Sequence, residues 1–516
     1  MNVIKHFCIL SLIMVSINPL FSQIEYGINV KDTVISKWND SNSELWAKKI
    51  SMPGEIVSLN INHKTGYAIF ELRLKTTNGK KSLAKSRLYV YDLQGDSLVW
   101  YREYFWKKTR FSYSGDVVLE YTKPKTICRD VKTGKILWTN NSDIFYVDDF
   151  GKFGLSFPSN ALGSKNHLCA VSMIDGKKIW SKKVNPDYGF SQPIRLSDST
   201  MIVQASGIHL VNLFQNGSGW EVPSKTHYVN IAPIIVNTTL AVGLALLTGY
   251  YYVPVTNSAF YTEISSNIWI EDTLIYFADR EKISKINSMN GNIIWSNSLP
   301  QAKTSTSSIF IQNDNIYMLN FGYSNYGGNQ TVKGKPFLAA YNTSTGLPLF
   351  IEYFPMIHDY VIDYVTDEKS NMIILSNHKI SMFDYLKFKT IKSEKLVHKK
   401  SEKVIGFNNQ NLFIKEEGRF VSMNEKYSDK IQLVNQKGDV QILDSNLRVV
   451  NRICFNDIYS WNFTINDSVY ISGVDANYII DDDGLVLVRI PYANPLFKVS
   501  SSFFVIDKNS LYILSF

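Results

Sequence analysis

The residues with the most obvious capacity for chemistry are short polar side chains at recurrent positions. Asp92, Asp130, Ser172, Asn212, Asn287 and Asn342 each stand eight residues before an aromatic. Carboxylate and amide oxygens are what a calcium-type site draws on. The run "DDDG" at 481–484 looks like part of a calcium loop, yet it lacks alternating ligands and is expected to be a hairpin tip. The histidines, among them His63, His167, His209, His227, His358, His378 and His398, include no two at metal-ligand spacing and suggest no catalytic triad. The glycine-rich stretch "GYSNYGGN" at 322–329 has neither a following helix nor a lysine in phosphate-binding register, so it is expected to be a surface loop that can touch a partner. Once Cys8 is set aside with the expected signal peptide, the remaining Cys128, Cys169 and Cys454 are widely spaced and odd in number, which fits packing better than a disulfide framework.

The elements that position these residues come from a repeat. An apolar strand, a polar residue, a turn, two aliphatics and an aromatic recur in "LYVYDLQGDSLVW" to Trp100, "TICRDVKTGKILW" to Trp138 and "CAVSMIDGKKIW" to Trp180. The frame returns in "HLVNLFQNGSGW" to Trp220, "ISKINSMNGNIIW" to Trp295 and "LAAYNTSTGLPLF" to Phe350. An early copy ends at Trp46, and weaker late copies put an aliphatic in the aromatic position near Ile391, Val450 and Val488. The aspartate or asparagine can bond the turn's own amides. Gly134, Gly176, Gly291 and Gly346 supply the positive φ of a tight hairpin. The two aliphatics are expected to pack inward, and the tryptophan to wedge flat against the neighbouring unit. At this position Asp92, Asp130 and Asn287 are structural caps and not ligands.

Spacings of 38, 42 and 40 residues between Trp100, Trp138, Trp180 and Trp220 match four short strands per unit. Gaps of 75 to Trp295, 55 to Phe350 and 59 between Ile391 and Val450 call for insertions or a degenerate extra unit. This frame resembles the quinoprotein-like (PQQ-like) β-propellers, with Asp130, Thr133, Gly134, Lys135 and Trp138 as its best match. The likeness is strong from Trp46 to Phe350 and faint beyond. It implies an all-β ring of four-stranded antiparallel blades, about eight of them. "SSFFVIDKNSLYILSF" at the C-terminus would pair with "SELWAKKI" at the N-terminus to complete the last blade.

The family holds both quinone-dependent dehydrogenases and non-enzymes, including a lipoprotein that helps assemble outer-membrane barrels. The enzymes need a calcium-type site beside the cofactor, and many alcohol-oxidising members carry adjacent cysteines, which are absent here. The resemblance is therefore closer to the non-enzymatic members. No catalytic residue, cofactor site or metal site is expected; a PQQ-dependent oxidoreductase is the competing reading.

Residues 1–22 have the layout of a secretory signal peptide, with Lys5 and His6 before an apolar run and Ser22 before the expected cleavage, so residues 23–516 are expected to form one exported propeller domain, periplasmic or outer-membrane associated. Segment 228–262 has no charged residue and contains "LAVGLALLTGYYYVPV". Its apolar core of about 16 residues is too short to span a bilayer as a helix. It is expected either to be buried or to dock a partner through Leu240, Leu244, Leu247, Tyr250, Tyr251 and Tyr252. A net charge of +8 without a binding motif argues against nucleic acid. The expected protein is a monomer that binds an unidentified envelope protein. An outer-membrane β-barrel is a further alternative, suggested by 13% aromatic residues and terminal Phe516, but barrels lack a 40-residue turn-and-tryptophan frame.

Overall fold

The computed structural model describes most of residues 27–515, leaving out 1–26, 230–259 and short stretches between strands. Among the described residues the chain is all-β, and none of them lies in a helix. No described helix is long and apolar enough to cross a membrane. The chain divides into two compact units, one of residues 1–181, 408–412 and 428–516, the other of 182–407 and 413–427.

In the first unit, strands Glu55–Asn62, Tyr67–Lys75, Lys81–Asp92 and Ser97–Phe105 pair in sequence order to make one antiparallel blade. Residues 109–140 make a second blade in the same way. In the second unit the order recurs at 269–298, and at 361–395. The middle strands are apolar on both faces, as in Val117–Leu119, Met201–Val203 and Ile275–Ala278, all buried, so they read as short continuous hydrophobic runs.

Among the described residues ten sheets carry this meander, against the eight or so expected. The marks at Trp100, Trp138, Trp180, Trp295, Phe350, Ile391, Val450 and Val488 each lie on an outer strand, Trp220 immediately precedes one, and Trp46 lies on a strand that a further strand covers. The weak late copies are therefore blades in their own right, in which an aliphatic has taken the aromatic position. The long gaps are insertions. Strands Tyr228–Val229 and Phe260–Thr262 flank one, and strands Tyr323–Tyr326 and Asn329–Val332 form a hairpin within the blade that ends at Phe350. Between Ile391 and Val450 lies the added hairpin of Leu412–Glu416 and Arg419–Met423.

The termini share a sheet. Glu44–Ser51 pairs with Ser510–Ser515, placing Lys48 opposite Ile513 and Ile50 opposite Leu511. A fifth strand, Asn29–Lys37, lies outside it. Beyond that strand Trp38 bridges to Val488, and Asn39 N–H donates to the Leu487 carbonyl at 2.8 Å. Trp38 thus packs on the core around Val488, where the repeat has lost its own aromatic.

One expectation fails at most copies, though not at Trp100, where Leu98 and Val99 are half-buried against the core. The aliphatics before the aromatic do not pack inward: Ile136 and Leu137, Ile293 and Ile294, Leu347 and Leu349, and Val449 and Val450 are exposed. They lie on the last strand of each sheet, where a one-residue bulge interrupts the register. Ile136 stands opposite Arg129 while Trp138 stands opposite the adjacent Cys128. Equivalent shifts occur between Lys285 and Ile286 opposite Trp295 and Ile293, and between Ala340 and Tyr341 opposite Phe350 and Pro348. A bulge bends and re-aims the strand, which turns the aromatic toward the next blade and the aliphatics to the rim.

Candidate interaction surface

The polar residues at the head of each turn are occupied by the turn itself. Asp130 Oδ1 accepts from the Thr133 amide and hydroxyl, both at 2.7 Å. Asp92 Oδ1 accepts from Gln94 and Gly95, Asn212 Oδ1 from Phe214 and Gln215, and Asn342 Oδ1 from Ser344 and Thr345. Asn287 Oδ1 accepts from Met289 at 2.8 Å. Asp481 Oδ1 accepts from Leu485, closing the hairpin of the "DDDG" run.

The glycines take φ of 67–75° at Gly134, Gly176, Gly291 and Gly346, and each lies under an indole from the preceding blade. A Cβ would come within 2.8 Å of Trp100 at Gly134, 2.7 Å of Trp138 at Gly176, 2.7 Å of Trp220 at Gly291 and 2.5 Å of Trp295 at Gly346. The indole N–H then donates to the carbonyl three residues before that glycine: Trp100 to Val131 at 2.6 Å, Trp138 to Met173 at 2.7 Å, Trp220 to Ser288 at 2.8 Å and Trp295 to Thr343 at 3.1 Å. Glycine is required twice over, by the left-handed backbone and by the flat ring lying on it.

Variants of the lock follow the space available. In the first copy Asp96 and not Gly95 takes the positive φ, and Lys48 bonds its carboxylate at 2.8 Å. The preceding Trp46 is exposed. Phe350 replaces tryptophan, and Phe388, at φ 50°, occupies the turn position otherwise held by glycine; the rings meet at 4.9 Å, and Phe350 also stacks on Phe383 at 5.5 Å. Trp180 is buried.

A second latch has a sequence signal that the frame search passed over: the residue two places after the aromatic. Lys48 reaches Asp96, Arg102 pairs with Glu120 at 2.9 Å, Asn140 donates to the Gly176 carbonyl, and Lys182 donates to the Leu210 carbonyl at 2.9 Å. Asn297 donates to the Gly346 carbonyl at 2.6 Å and Glu352 accepts from Thr390 at 2.9 Å. Apart from Val222 the position is polar throughout the clear copies, so comparing the copies two residues further would have found it.

The titratable groups in the interior are structural as well. Glu120 is buried between Arg102 and Arg129, the latter at 3.0 Å; burial pushes its pKa up and Arg102 pulls it back. Burial also raises Glu71, opposed by hydroxyls of Tyr104 and Tyr113 that each donate at 3.0 Å. Burial pushes the Cys128 thiol up to about 12, so it is not a nucleophile at neutral pH. His209 is fully buried, with Glu221 3.7 Å from Nδ1, and burial lowers its pKa.

Besides the added hairpin at 412–423, a four-stranded accessory sheet in the second unit lies outside the blade pattern, ordered Tyr228–Val229, Phe260–Thr262, Tyr323–Tyr326, Asn329–Val332. The strands flanking the apolar segment and the hairpin built from the glycine-rich stretch meet here, with Tyr261 opposite both Tyr228 and Tyr326. The glycine-rich stretch is thus largely strand, not an irregular loop. Asp279 holds the stem: one carboxylate oxygen accepts from Lys225, the other from Glu281 and Lys282. Under the hairpin, Phe321 stacks on Tyr323 at 5.6 Å and contacts Tyr364 at 6.1 Å. Leu240, Leu244, Leu247, Tyr250, Tyr251 and Tyr252 lie outside the described residues.

Residues 84–242 match the family model of the outer membrane protein assembly factor BamB. The match spans just under a third of the chain and includes the copies at Trp100, Trp138, Trp180 and Trp220. No curated protein sequence matches the chain. Among solved structures, BamB from Moraxella catarrhalis is similar at 12% identity and a TM-score of 0.34, covering 74% of this chain and 93% of that one. The computationally designed Ika8 protein is similar at 9% identity and a TM-score of 0.36, covering 73% and 97%. A eukaryotic initiation factor is similar at 10% identity and a TM-score of 0.40, covering 84% and 98%. None of these structural likenesses carries an argument below; the fold rests on the strand pairing already described.

Proposed function

We propose that the chain is an exported, non-catalytic propeller scaffold that holds a protein partner in the cell envelope, in the service of outer-membrane assembly. The observation that carries this reading is the accessory sheet. Two excursions, separated by a whole blade in sequence, are brought together into one surface that the blade meander does not need. The match of residues 84–242 to the BamB family model supports the envelope setting. Against catalysis, the carboxylates and amides that could be taken for ligands are spent on capping turns, and the aromatics are spent on holding blades together. Residues 1–22 serve for export in this reading, and the mature chain works as a monomer without a cofactor.

Val229 lies directly opposite Phe260, so a short turn can join these strands in place of residues 230–259. The shortened protein should keep its strand content and thermal midpoint, and should no longer recover the envelope protein that accompanies the full chain. Unfolding of the shortened protein would place the segment in the core. Undiminished recovery would remove it from the binding surface.

A further inference from the structure

We propose that the rim formed by the blades at 109–140 and 142–183 is a second docking surface, whose occupant is an acidic polypeptide segment with aliphatic side chains among its carboxylates. The two edges are adjacent because Trp138, on the outer strand of the first, lies on Gly176 in the turn of the second and bonds the Met173 carbonyl. Around this junction Ile136, Leu137, Ile174 and Ile179 are 54%, 47%, 79% and 46% exposed. Four exposed branched aliphatics on one seam are more than scattered surface hydrophobics would give.

Lysines interleave them. Lys132, Lys135, Lys177 and Lys178 are exposed on the same two turn-and-strand segments. Among the described residues, Lys177 alone of these four makes an ion pair, with Asp175 at 3.2 Å. The blade does not require these cations. The copies at 287–298 and 342–353 expose Ile293, Ile294, Leu347 and Leu349 just before the aromatic with no lysine between turn and strand end. Those copies use the same indole or phenyl contact to the next blade. The segment 384–395 also carries lysines, but there Lys387 pairs with Asp384 at 2.9 Å and Lys392 with Glu394 at 3.5 Å; the larger share of cations without an ion pair at 130–181 points to a complementary charge.

An anionic lipid surface would meet the same charge, but two features favour a polypeptide. Interfacial membrane contacts use exposed aromatic rings, and among the described residues between 130 and 181 the exposed large hydrophobics are aliphatic, with Trp138 and Trp180 buried. The strand Ile136–Asn140 is also the last of its sheet, so its backbone edge can serve a peptide and cannot serve a lipid tail.

The test uses the mature full chain and a fluorescent decapeptide of alternating glutamate and valine, read by anisotropy at several salt concentrations. The probe should bind, weaken as salt rises, and lose at least tenfold in affinity to a variant carrying Lys132→Glu, Lys135→Glu, Lys177→Glu and Lys178→Glu. A second variant, Ile136→Thr with Ile174→Thr, should weaken it severalfold at unchanged charge. All these positions are exposed, so circular dichroism and the thermal midpoint should match those of the unaltered protein. Phosphatidylglycerol vesicles should not compete with the probe. No binding, equal binding by the charge-reversed variant, or displacement by the vesicles would each overturn the proposal. Binding here that survives loss of residues 230–259 would separate this surface from the accessory sheet.

Discussion

Replacing Gly176 by alanine tests the lock between blades against its own internal control. At Gly176 the backbone has φ 71°, which costs an alanine about 1 kcal/mol or somewhat more. The new Cβ would also stand 2.7 Å from two ring carbons of Trp138, where ordinary contact begins near 3.4 Å. The indole cannot simply retreat, because it is buried and its N–H is fixed on the Met173 carbonyl at 2.7 Å. Overpacking of this kind costs about 1–3 kcal/mol, so Gly176→Ala should lose about 2–4 kcal/mol. Gly115→Ala pays only the backbone cost: its φ is 52° and nothing lies within 4 Å of the added carbon, so about 1 kcal/mol is expected. Urea unfolding followed by tryptophan fluorescence gives both losses from the shift in midpoint at constant slope. Equal losses, or a larger loss at Gly115, would refute the claim that the turn glycine exists to receive the ring.

Other outcomes follow from the same contacts. Glu120→Ala leaves Arg102 and Arg129 without their shared carboxylate and should cost about 3–5 kcal/mol in the same unfolding assay. His209 has a lowered pKa in the folded chain, so the stability tied to its neutral form is present above about pH 6.5 and is lost as pH falls below that value. His209→Leu should flatten the difference in stability between pH 7 and pH 5, measured against the unaltered protein so that the raised carboxyls Glu71 and Glu120 cancel. Mixing the purified chain with PQQ and calcium should give neither a cofactor absorption band nor dye reduction; a clear signal would favour the oxidoreductase reading.

The blade was legible in the sequence because three of its requirements are local. A turn needs a capping oxygen, a left-handed residue and a strand to follow, and Asp130, Gly134 and Trp138 satisfy these within nine residues. The late blades were harder to count because their locks use other residue pairs: Phe350 with Phe388, and Trp38 supplied from a distant strand to Val488. Such pairs only make sense in three dimensions, where a smaller ring is matched by a larger turn residue. Ile136 and Leu137 face outward although their hydrophobicity suggests burial, because a single bulge reverses the direction of a strand face. The accessory sheet is not legible in the sequence: Tyr261 pairs with Tyr326, and nothing local to either marks the partner.

The scaffold reading stands or falls on whether that accessory sheet meets another protein. Val332 is exposed at its outer strand, whereas Gly115 sits in an ordinary hairpin tip between two strands of a blade. A photoreactive phenylalanine analogue placed at each position in living cells, followed by irradiation and immunoblotting, should give a discrete adduct with one envelope protein from position 332 and none from position 115. Adducts of equal yield from both positions, or none from position 332, would contradict the account.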